Sequence, residues 1–185
     1  IQCPAGTCLP DARAAYLVSN YGEPWGQVDN IVAMEAVFGI GNWDALYFES
    51  ADITTLLSPA YKVIFLDGSY MGGLALDAFL TAHLPALEAW VAAGGALFIN
   101  GATNSGYTPA TINYGFGGVT LQTLIYISDV AVQEPGHPIF NGPFTPANGN
   151  FQGSSFLHGV ITGPVGSVLL VDVYGAGTGL AEKKY

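Results

Sequence analysis

Apolar residues along the first hundred positions follow two kinds of pattern. Four stretches are apolar without alternation, as the buried strands of a parallel sheet are, and they lie at 14–20, 45–50, 62–68 and 96–100. Between them, apolar residues recur at intervals of three and four, which predicts amphipathic helices. This succession predicts an α/β fold with a flavodoxin-like parallel sheet and helices on both faces.

The two predicted helices are marked by their apolar stripes. The first covers 28–38, and its expected inward stripe is Val28, Ile31, Val32, Glu35 and Phe38. The second has a longer stripe, formed by Leu76, Phe79, Leu80, His83, Leu84, Leu87, Trp90 and Val91. Pro85 lies inside this second pattern. We expect it to kink the helix or to begin a new one, because proline removes one helical hydrogen bond and clashes with the preceding turn.

The composition and the apolar pattern of the chain change after Gly101. Residues 106–118 and most of 134–160 are rich in glycine, proline and small polar residues, which indicates loops. Residues 119–133 indicate a strand, and 167–185 indicate a final pair of strands. The second half is therefore predicted to be β-rich and loop-rich, and the last strand and covering helix of a doubly wound sheet are missing from it.

The two cysteines lie close together in "CPAGTC" near the amino end. Four intervening residues allow Cys3 and Cys8 to form a small disulfide ring, whereas a redox pair has two intervening residues and a zinc site needs further ligands. A disulfide indicates an oxidising compartment, outside the cell or at its surface. We expect 1–13 to be a disulfide-closed segment and 14–185 to be one α/β domain, incomplete at its carboxyl end.

Charge narrows the range of partners. The chain has 4 Lys and Arg residues against 14 acidic residues, a net charge of −10, so nucleic acid is not an expected partner. Charged residues make up 10% of the chain, well below the usual share of about a quarter, and a surface covered by neutral residues tends to self-associate. No apolar stretch is long enough to predict a membrane span.

Three residues are candidates for a hydrolase site. Ser69 follows the third strand, Thr103 follows the fourth, and His158 is expected in a small-residue loop above the carboxyl ends of the strands. Catalysis would require an imidazole within about 3 Å of one of the hydroxyls. The segment around Ser69 does not have the G-x-S-x-G spacing of a nucleophile elbow. The alternative is that both hydroxyls stabilise turns and that His158 is structural.

The remaining histidines do not suggest a metal site. His83 lies on the apolar stripe of the second helix, where we expect a half-buried packing residue, and we expect His137, before Pro138, to bond a backbone group. The three histidines are separated by 54 and 21 residues, which is not the spacing of a metal-binding cluster. We therefore predict no metal and no cofactor.

Aromatic residues in the predicted strand-to-helix loops suggest a binding site instead. Glu23 and Trp25 follow the first strand, where a sugar could stack on the indole and bond the carboxylate. Tyr70, Tyr107 and Tyr114 belong to neighbouring loops. Such an aromatic, weakly acidic rim would suit carbohydrate, and it would equally suit protein packing.

Four motifs together resemble a known family. They are "WVAAGGALFING", "EPGHPIFNGPFTP", "GSSFLHGVI" and "LLVDVYGAGTGLAEKKY". Their order over residues 14–185 resembles the class I glutamine-amidotransferase-like fold, and in particular its non-catalytic, trehalose-utilisation-type branch of secreted bacterial proteins. Catalytic members carry a cysteine in a G-x-C-x-G turn after the fourth strand and a later His-x-Glu pair. Here that turn contains Gly101, Ala102 and Thr103, and no His-x-Glu occurs.

The resemblance implies a scaffold without glutaminase chemistry. We expect a non-catalytic extracellular or cell-surface domain, which acts in binding or as a self-assembling, filament-forming structural subunit. Its expected partners are copies of itself, other surface components or carbohydrate. The alternatives are a secreted hydrolase that uses Ser69 or Thr103 with His158, and a carbohydrate-binding module that uses Glu23 and Trp25.

Overall fold

The first half of the chain forms a four-stranded parallel sheet. The structure is a computed structural model that describes residues 13–141, 150–175 and 177–185. The strand order is β2-β1-β3-β4, and all three pairings are parallel, as the apolar runs predict. The strands are β1 (Arg13–Val18), β2 (Trp43–Tyr47), β3 (Tyr61–Asp67) and β4 (Ala96–Asn100).

Helices cover both faces of this sheet. They are α1 (Asp29–Phe38), the short α2 (Ile53–Leu56) and α3 (Gly73–Ala92). On one face, α1 packs Met34 and Phe38 against the β1 side chains Ala14, Tyr16 and Val18. On the other face lies the largest core cluster, in which α3 contributes Leu76, Phe79, Leu80 and Leu87. Two residues of the stripe predicted for α1, Val28 and Val32, are instead exposed. Helix α1 is apolar on several sides, so its pattern alone does not identify the inward face.

Helix α3 continues through Pro85 as one helix of 20 residues, so of the two alternatives expected at Pro85, the start of a new helix is wrong. Leu84 and Leu87 pack against the same core on either side of the proline, and this shared contact keeps both halves in line. Among the described residues, only α3 has the length and mean hydropathy of a membrane-crossing helix. Its buried stripe packs in the core, which is also expected of a core helix.

The second half forms a separate antiparallel sheet. Its strands are β5 (Thr111–Gly115), β6 (Val119–Val132), β7 (Asn150–Thr162), β8 (Ser167–Asp172) and β9 (Thr178–Glu182). The order is β5-β6-β7-β9-β8, and β6 also pairs with β8, so four strands close into a barrel-like unit. Ile127, Val130, Phe140, Val160, Leu169 and Leu170 form its core. The molecule is therefore a mixed α/β protein with two distinct sheets.

The loops predicted in the second half are partly strands. Strand β5 lies inside the predicted loop 106–118, and β7 replaces much of the predicted loop 134–160. β7 contains glycine and serine at positions where strand propensity is low, but it pairs with β6 from Ala131↔Asn150 to Thr120↔Thr162. Long-range pairing therefore outweighs local composition here. Cys3 and Cys8 lie outside the described residues, so their disulfide stays a prediction.

Candidate functional site

The candidate site lies at the carboxyl ends of β1, β3 and β4, where ligands bind in open α/β sheets. The loops after β3 and β4 are joined there through an isolated parallel bridge between Tyr70 and Thr103. The Tyr70 N–H donates to the Ala102 carbonyl at 2.9 Å, and the Asn104 N–H donates to the Tyr70 carbonyl at 2.9 Å. Two strand ends thus hold the Tyr70 backbone in place.

A buried carboxylate forms the floor of the site. Asp67 ends β3 and is only 1% exposed. Its Oδ1 accepts the Ser69 backbone N–H at 3.0 Å, and its Oδ2 accepts Asn30 Nδ2 at 2.6 Å. Burial raises the pKa of Asp67, although these hydrogen bonds oppose the rise. The nearby Ser69 hydroxyl also lowers this pKa, although it makes no hydrogen bond to any of the residues that the structure describes.

A phenol links this floor to the first loop. The Tyr16 hydroxyl lies 2.9 Å from Glu23 Oε2 and 3.4 Å from Asp67 Oδ2, and it accepts Asn30 Nδ2 at 3.0 Å. Because it has a single proton, the shorter contact to Glu23 is the stronger bond. Burial, followed by the charge of Asp67, raises the pKa of Tyr16 above that of a free phenol. Burial also raises the pKa of Glu23, and the nearby Asp67 adds to this rise.

Four rings stand beside these carboxyl groups, and we call Trp25, Tyr70, Tyr126 and His158 the aromatic cluster. The Trp25 ring centroid lies 5.6 Å from that of Tyr70 and 5.4 Å from that of His158, and Tyr126 lies 5.0 Å from His158. Trp25 remains 44% exposed and Tyr126 50% exposed. The cluster therefore presents aromatic surface to solvent beside a weakly acidic floor.

The structure brings together only some of the predicted rim residues. Glu23, Trp25 and Tyr70 meet as expected. Tyr107 pairs instead with Tyr21, at a centroid distance of 6.0 Å. Tyr114 is not on the rim: it lies in β5 with its side chain buried in the main core, which corrects the prediction.

Tyr126 is a member that sequence reasoning missed. It lies on β6, in the antiparallel sheet, and nothing in its local pattern distinguishes it from other outward strand residues. His158 was expected in a loop but lies on β7. Pairing of β7 with β6 places both residues at the end of the parallel sheet.

Tyr70 stands at the apex of a sharp strand-to-helix turn between β3 and α3. The turn reads Gly-Ser-Tyr-Met-Gly over 68–72, and Tyr70 has φ 58°, in the left-handed region. A Cβ on Gly68 would lie 2.5 Å from Leu76 Cδ2, so this position requires glycine. Strain in such a turn exposes the apical side chain, which is how a nucleophile elbow works. Here the apex is a phenol.

The turn after the fourth strand has a different geometry. The resemblance places the corresponding turn after the fourth strand, at Gly101–Thr103, but β4 is followed by a loop and β5 rather than by a helix. The strained strand-to-helix turn follows β3 instead.

The hydrolase candidates are not paired with an imidazole. The Ser69 and Thr103 hydroxyls are buried, and neither makes a hydrogen bond in the described part of the chain. His158 Nδ1 lies 3.1 Å from the Thr103 carbonyl oxygen, so the ring donates to the backbone and not to a hydroxyl. With its proton on Nδ1, the ring presents Nε2 as an acceptor.

The other two histidines have the structural roles expected of them. The His83 ring packs on Phe79 at 4.8 Å, and His137 Nδ1 accepts the Ile139 N–H at 3.3 Å. Within residues 13–141, 150–175 and 177–185, no three histidine, cysteine or carboxylate side chains form a group that could hold a metal ion.

Comparisons with family models, curated proteins and solved structures find no match to this chain. The amidotransferase-like resemblance therefore stays a prediction, and the geometry of the site carries the functional proposal.

Proposed function

We propose that this chain is a non-catalytic binding domain of a secreted or cell-surface protein, and that its aromatic cluster binds carbohydrate. The observation that carries the proposal is the exposed indole of Trp25. It lies in the same loop as Glu23, and the buried Tyr16 phenol links the Glu23 carboxyl group to that of Asp67. Sugars present apolar C–H faces and hydroxyl rims, which match aromatic rings and carboxylate oxygens respectively. The extracellular location rests on the predicted pairing of Cys3 with Cys8.

The polar groups of the site suit a neutral ligand. Glu23 Oε1 and His158 Nε2 are acceptors that could receive ligand hydroxyls, since Glu23 Oε2 is engaged by Tyr16 and His158 Nδ1 by Thr103. An anionic ligand would meet acidic groups and a chain that has only 4 Lys and Arg residues. The unpaired hydroxyls of Ser69 and Thr103 favour binding over hydrolysis.

We also propose that the scaffold is a flavodoxin-like sheet of the amidotransferase-like type. The strand order β2-β1-β3-β4 is compatible with the first four strands of a flavodoxin-like sheet. In this proposal, the turn at Gly101–Thr103 after the fourth strand corresponds to the nucleophile turn of catalytic members, and Tyr70 occupies the apex of a separate turn after the third strand.

The test is retention of the purified chain on insoluble polysaccharides, with microcrystalline cellulose, chitin and an insoluble α-glucan as probes. We expect retention on at least one of them. Trp25→Ala should weaken it about tenfold, the loss expected when an aromatic contact of about 1.4 kcal/mol is removed. Tyr174→Ala is the matched control, because Tyr174 is 84% exposed and does not belong to the cluster.

Two results would contradict the proposal. One is that the wild-type chain is retained on none of the three polysaccharides. The other is that Trp25→Ala and Tyr174→Ala reduce retention equally, since the aromatic cluster would then have no special part in it.

A further inference from the structure

A cavity lies between the two sheets, along the edge of β4. One wall consists of every residue from 97 to 102, and the opposite wall includes every residue from 179 to 183. Successive side chains of a strand point to opposite faces, so a cavity on one face touches alternate residues. Contact with consecutive residues indicates that the cavity lies against the edges of β4 and β9, and residues 156–159 of β7 also line it. We call it the edge slot.

Strand β4 has a free edge along the slot. It pairs only with β3 in the parallel sheet, and the Asn100 carbonyl accepts the Gly68 N–H on that side. Backbone groups alternate in direction along a strand, so those of Leu97 and Ile99 point away from β3, into the slot. In the described part of the chain, these groups have no backbone partner on the slot side.

Strand β9 has a free edge on the facing wall. It pairs with β8 from Thr178 to Glu182. On its other side it meets β7 at one position, Ile161↔Thr178. Next to this position, Gly179 packs against Leu157 of β7, and the residues from Leu180 to Lys183 line the slot. Strands β4, β7 and β9 therefore border the same cavity.

We propose that the edge slot binds an extended peptide strand from another polypeptide, which would pair with β4 and join the two sheets. A peptide backbone is the ligand whose N–H and C=O groups repeat at the spacing of a strand edge. The wall of residues 97–102 spans about 17 Å at a rise of about 3.3 Å per residue, enough for a strand of about five residues.

The walls and the net charge define the chemistry of this peptide. Its side chains would meet mainly apolar groups, including Leu97, Ile99, Phe116, Phe156, Leu157 and Leu180. Lys183 lines the slot, but its Nζ donates to the Pro164 carbonyl at 2.7 Å. The chain carries a net charge of −10, which repels a second copy and favours a neutral or basic strand. The expected ligand is an apolar β-strand segment without acidic residues.

This inference does not rest on the proposed carbohydrate binding, although the slot is lined by His158, a member of the aromatic cluster. Trp25 does not line the slot, so binding of a strand and binding of a sugar can be measured separately. Trp25→Ala, which removes the proposed sugar platform, should leave peptide binding unchanged.

The experiment measures binding of labelled six-residue peptides by fluorescence anisotropy. Each peptide begins with lysine, and after it valine, isoleucine, leucine or phenylalanine alternates with threonine. The key variant is Ile99→Pro, with Ile99→Val as its control. Because the Ile99 N–H points into the slot, proline removes a donor to the ligand and leaves the ladder with β3 intact. We expect the wild type and Ile99→Val to bind at least one of these peptides, and Ile99→Pro to bind it at least tenfold more weakly.

A second arm does not depend on folding of the proline variant. The same peptide with alternate amides N-methylated keeps its side chains but loses backbone donors, and we expect the wild type to bind it at least tenfold more weakly. Equal binding of methylated and unmethylated peptides would overturn the proposal, as would absence of binding to every peptide. Self-association that Ile99→Pro abolishes, without peptide binding, would assign the slot to a second copy and overturn the proposed occupant.

Discussion

At the scale of single residues, the site combines two carboxyl groups whose protons are held more tightly than usual. Burial is the main cause of the raised pKa at both Asp67 and Glu23. Tyr16 and Asn30 bond both groups into one network, so each carboxyl keeps partners despite its desolvation. The two carboxyl groups therefore remain available for hydrogen bonds, while their raised pKa limits the negative charge of the site. Such a site suits a ligand that offers hydroxyl groups.

These shifts give a pH dependence with a definite sign. A carboxyl whose pKa is raised in the folded state binds its proton more tightly there than in the unfolded chain, so stability falls as pH rises from about 4 through the raised pKa. Glu23→Gln removes this loss and keeps an acceptor for Tyr16. We expect the variant to gain stability relative to the wild type between acidic and neutral pH, and to match it below about pH 4.

Urea unfolding at several pH values measures this difference, and Asp44→Asn provides a control of opposite sign. Arg13 donates to Asp44 through two hydrogen bonds and lowers the pKa of that carboxyl. Stability from this pair is therefore present at neutral pH and lost as pH falls. A Glu23→Gln variant whose difference from the wild type is constant with pH would contradict the prediction.

At the scale of elements, the turn from β3 to α3 shows how a short segment exposes one ring. Gly68 allows Leu76 to approach, and Tyr70 takes a left-handed conformation that most side chains avoid. Trp25, in the loop after β1, has φ 52°, also in this region. Strained residues cluster at functional sites because the surrounding structure must hold them, and the rings of these two pack at a tilt of 38° with their centroids 5.6 Å apart.

The backbone strain can be measured with a pair of substitutions that both remove the Tyr70 ring. At most positions, a glycine variant is less stable than the matching alanine variant, because glycine gives the unfolded chain more conformational freedom. At φ 58° the order should reverse. We expect Tyr70→Gly to be more stable than Tyr70→Ala by about 1 kcal/mol in chemical denaturation. Alanine as the more stable substitution would mean that the turn does not hold a left-handed residue.

At the scale of the whole molecule, one face of the parallel sheet is only partly covered. Phe98 on β4 is 44% exposed and packs against Phe65 at a centroid distance of 4.9 Å. Helix α1 covers β1 on this face, but its core cluster does not extend to Phe98. Phe98 is thus an exposed ring on a surface with few charges, and association through it would have to outweigh the repulsion from a net charge of −10. This ring is the specific observation behind self-assembly as a second candidate function.

Association through this face predicts a clear effect of one substitution. Phe98→Ser removes apolar surface at the contact, so the variant should stay monomeric at concentrations where the wild type associates, as measured by light scattering. Ile40→Ser is a suitable control, because Ile40 is 76% exposed but lies outside this aromatic pair. A wild-type chain that remains monomeric at every accessible concentration would contradict self-assembly.

The local sequence pattern was sufficient to predict most strands and helices in the first half of the chain. The two central strands, β1 and β3, are apolar runs because strands covered on both faces need apolar side chains. The edge strands β2 and β4 are less covered, and β2 begins at Trp43, two residues before the predicted run. Helix α3 has a single stripe that packs as predicted. The same pattern does not identify the inward face of α1 or foresee that α3 passes unbroken through Pro85, because both depend on which neighbours the helix contacts.

The residues of the candidate site also divide into those that the sequence predicts and those that it does not. Residues that directly follow strands, such as Glu23, Trp25 and Tyr70, could be grouped from the sequence, since parallel strands end at one edge of the sheet. His158 was expected at this edge but on a loop, whereas it lies on β7. Tyr126 could not be grouped from the sequence, because it lies on an antiparallel strand whose register depends on contacts far apart in sequence. The sequence by itself determined a parallel α/β core with an aromatic, weakly charged edge. Only tertiary pairing decided which rings meet there, and that strands of both sheets border one slot.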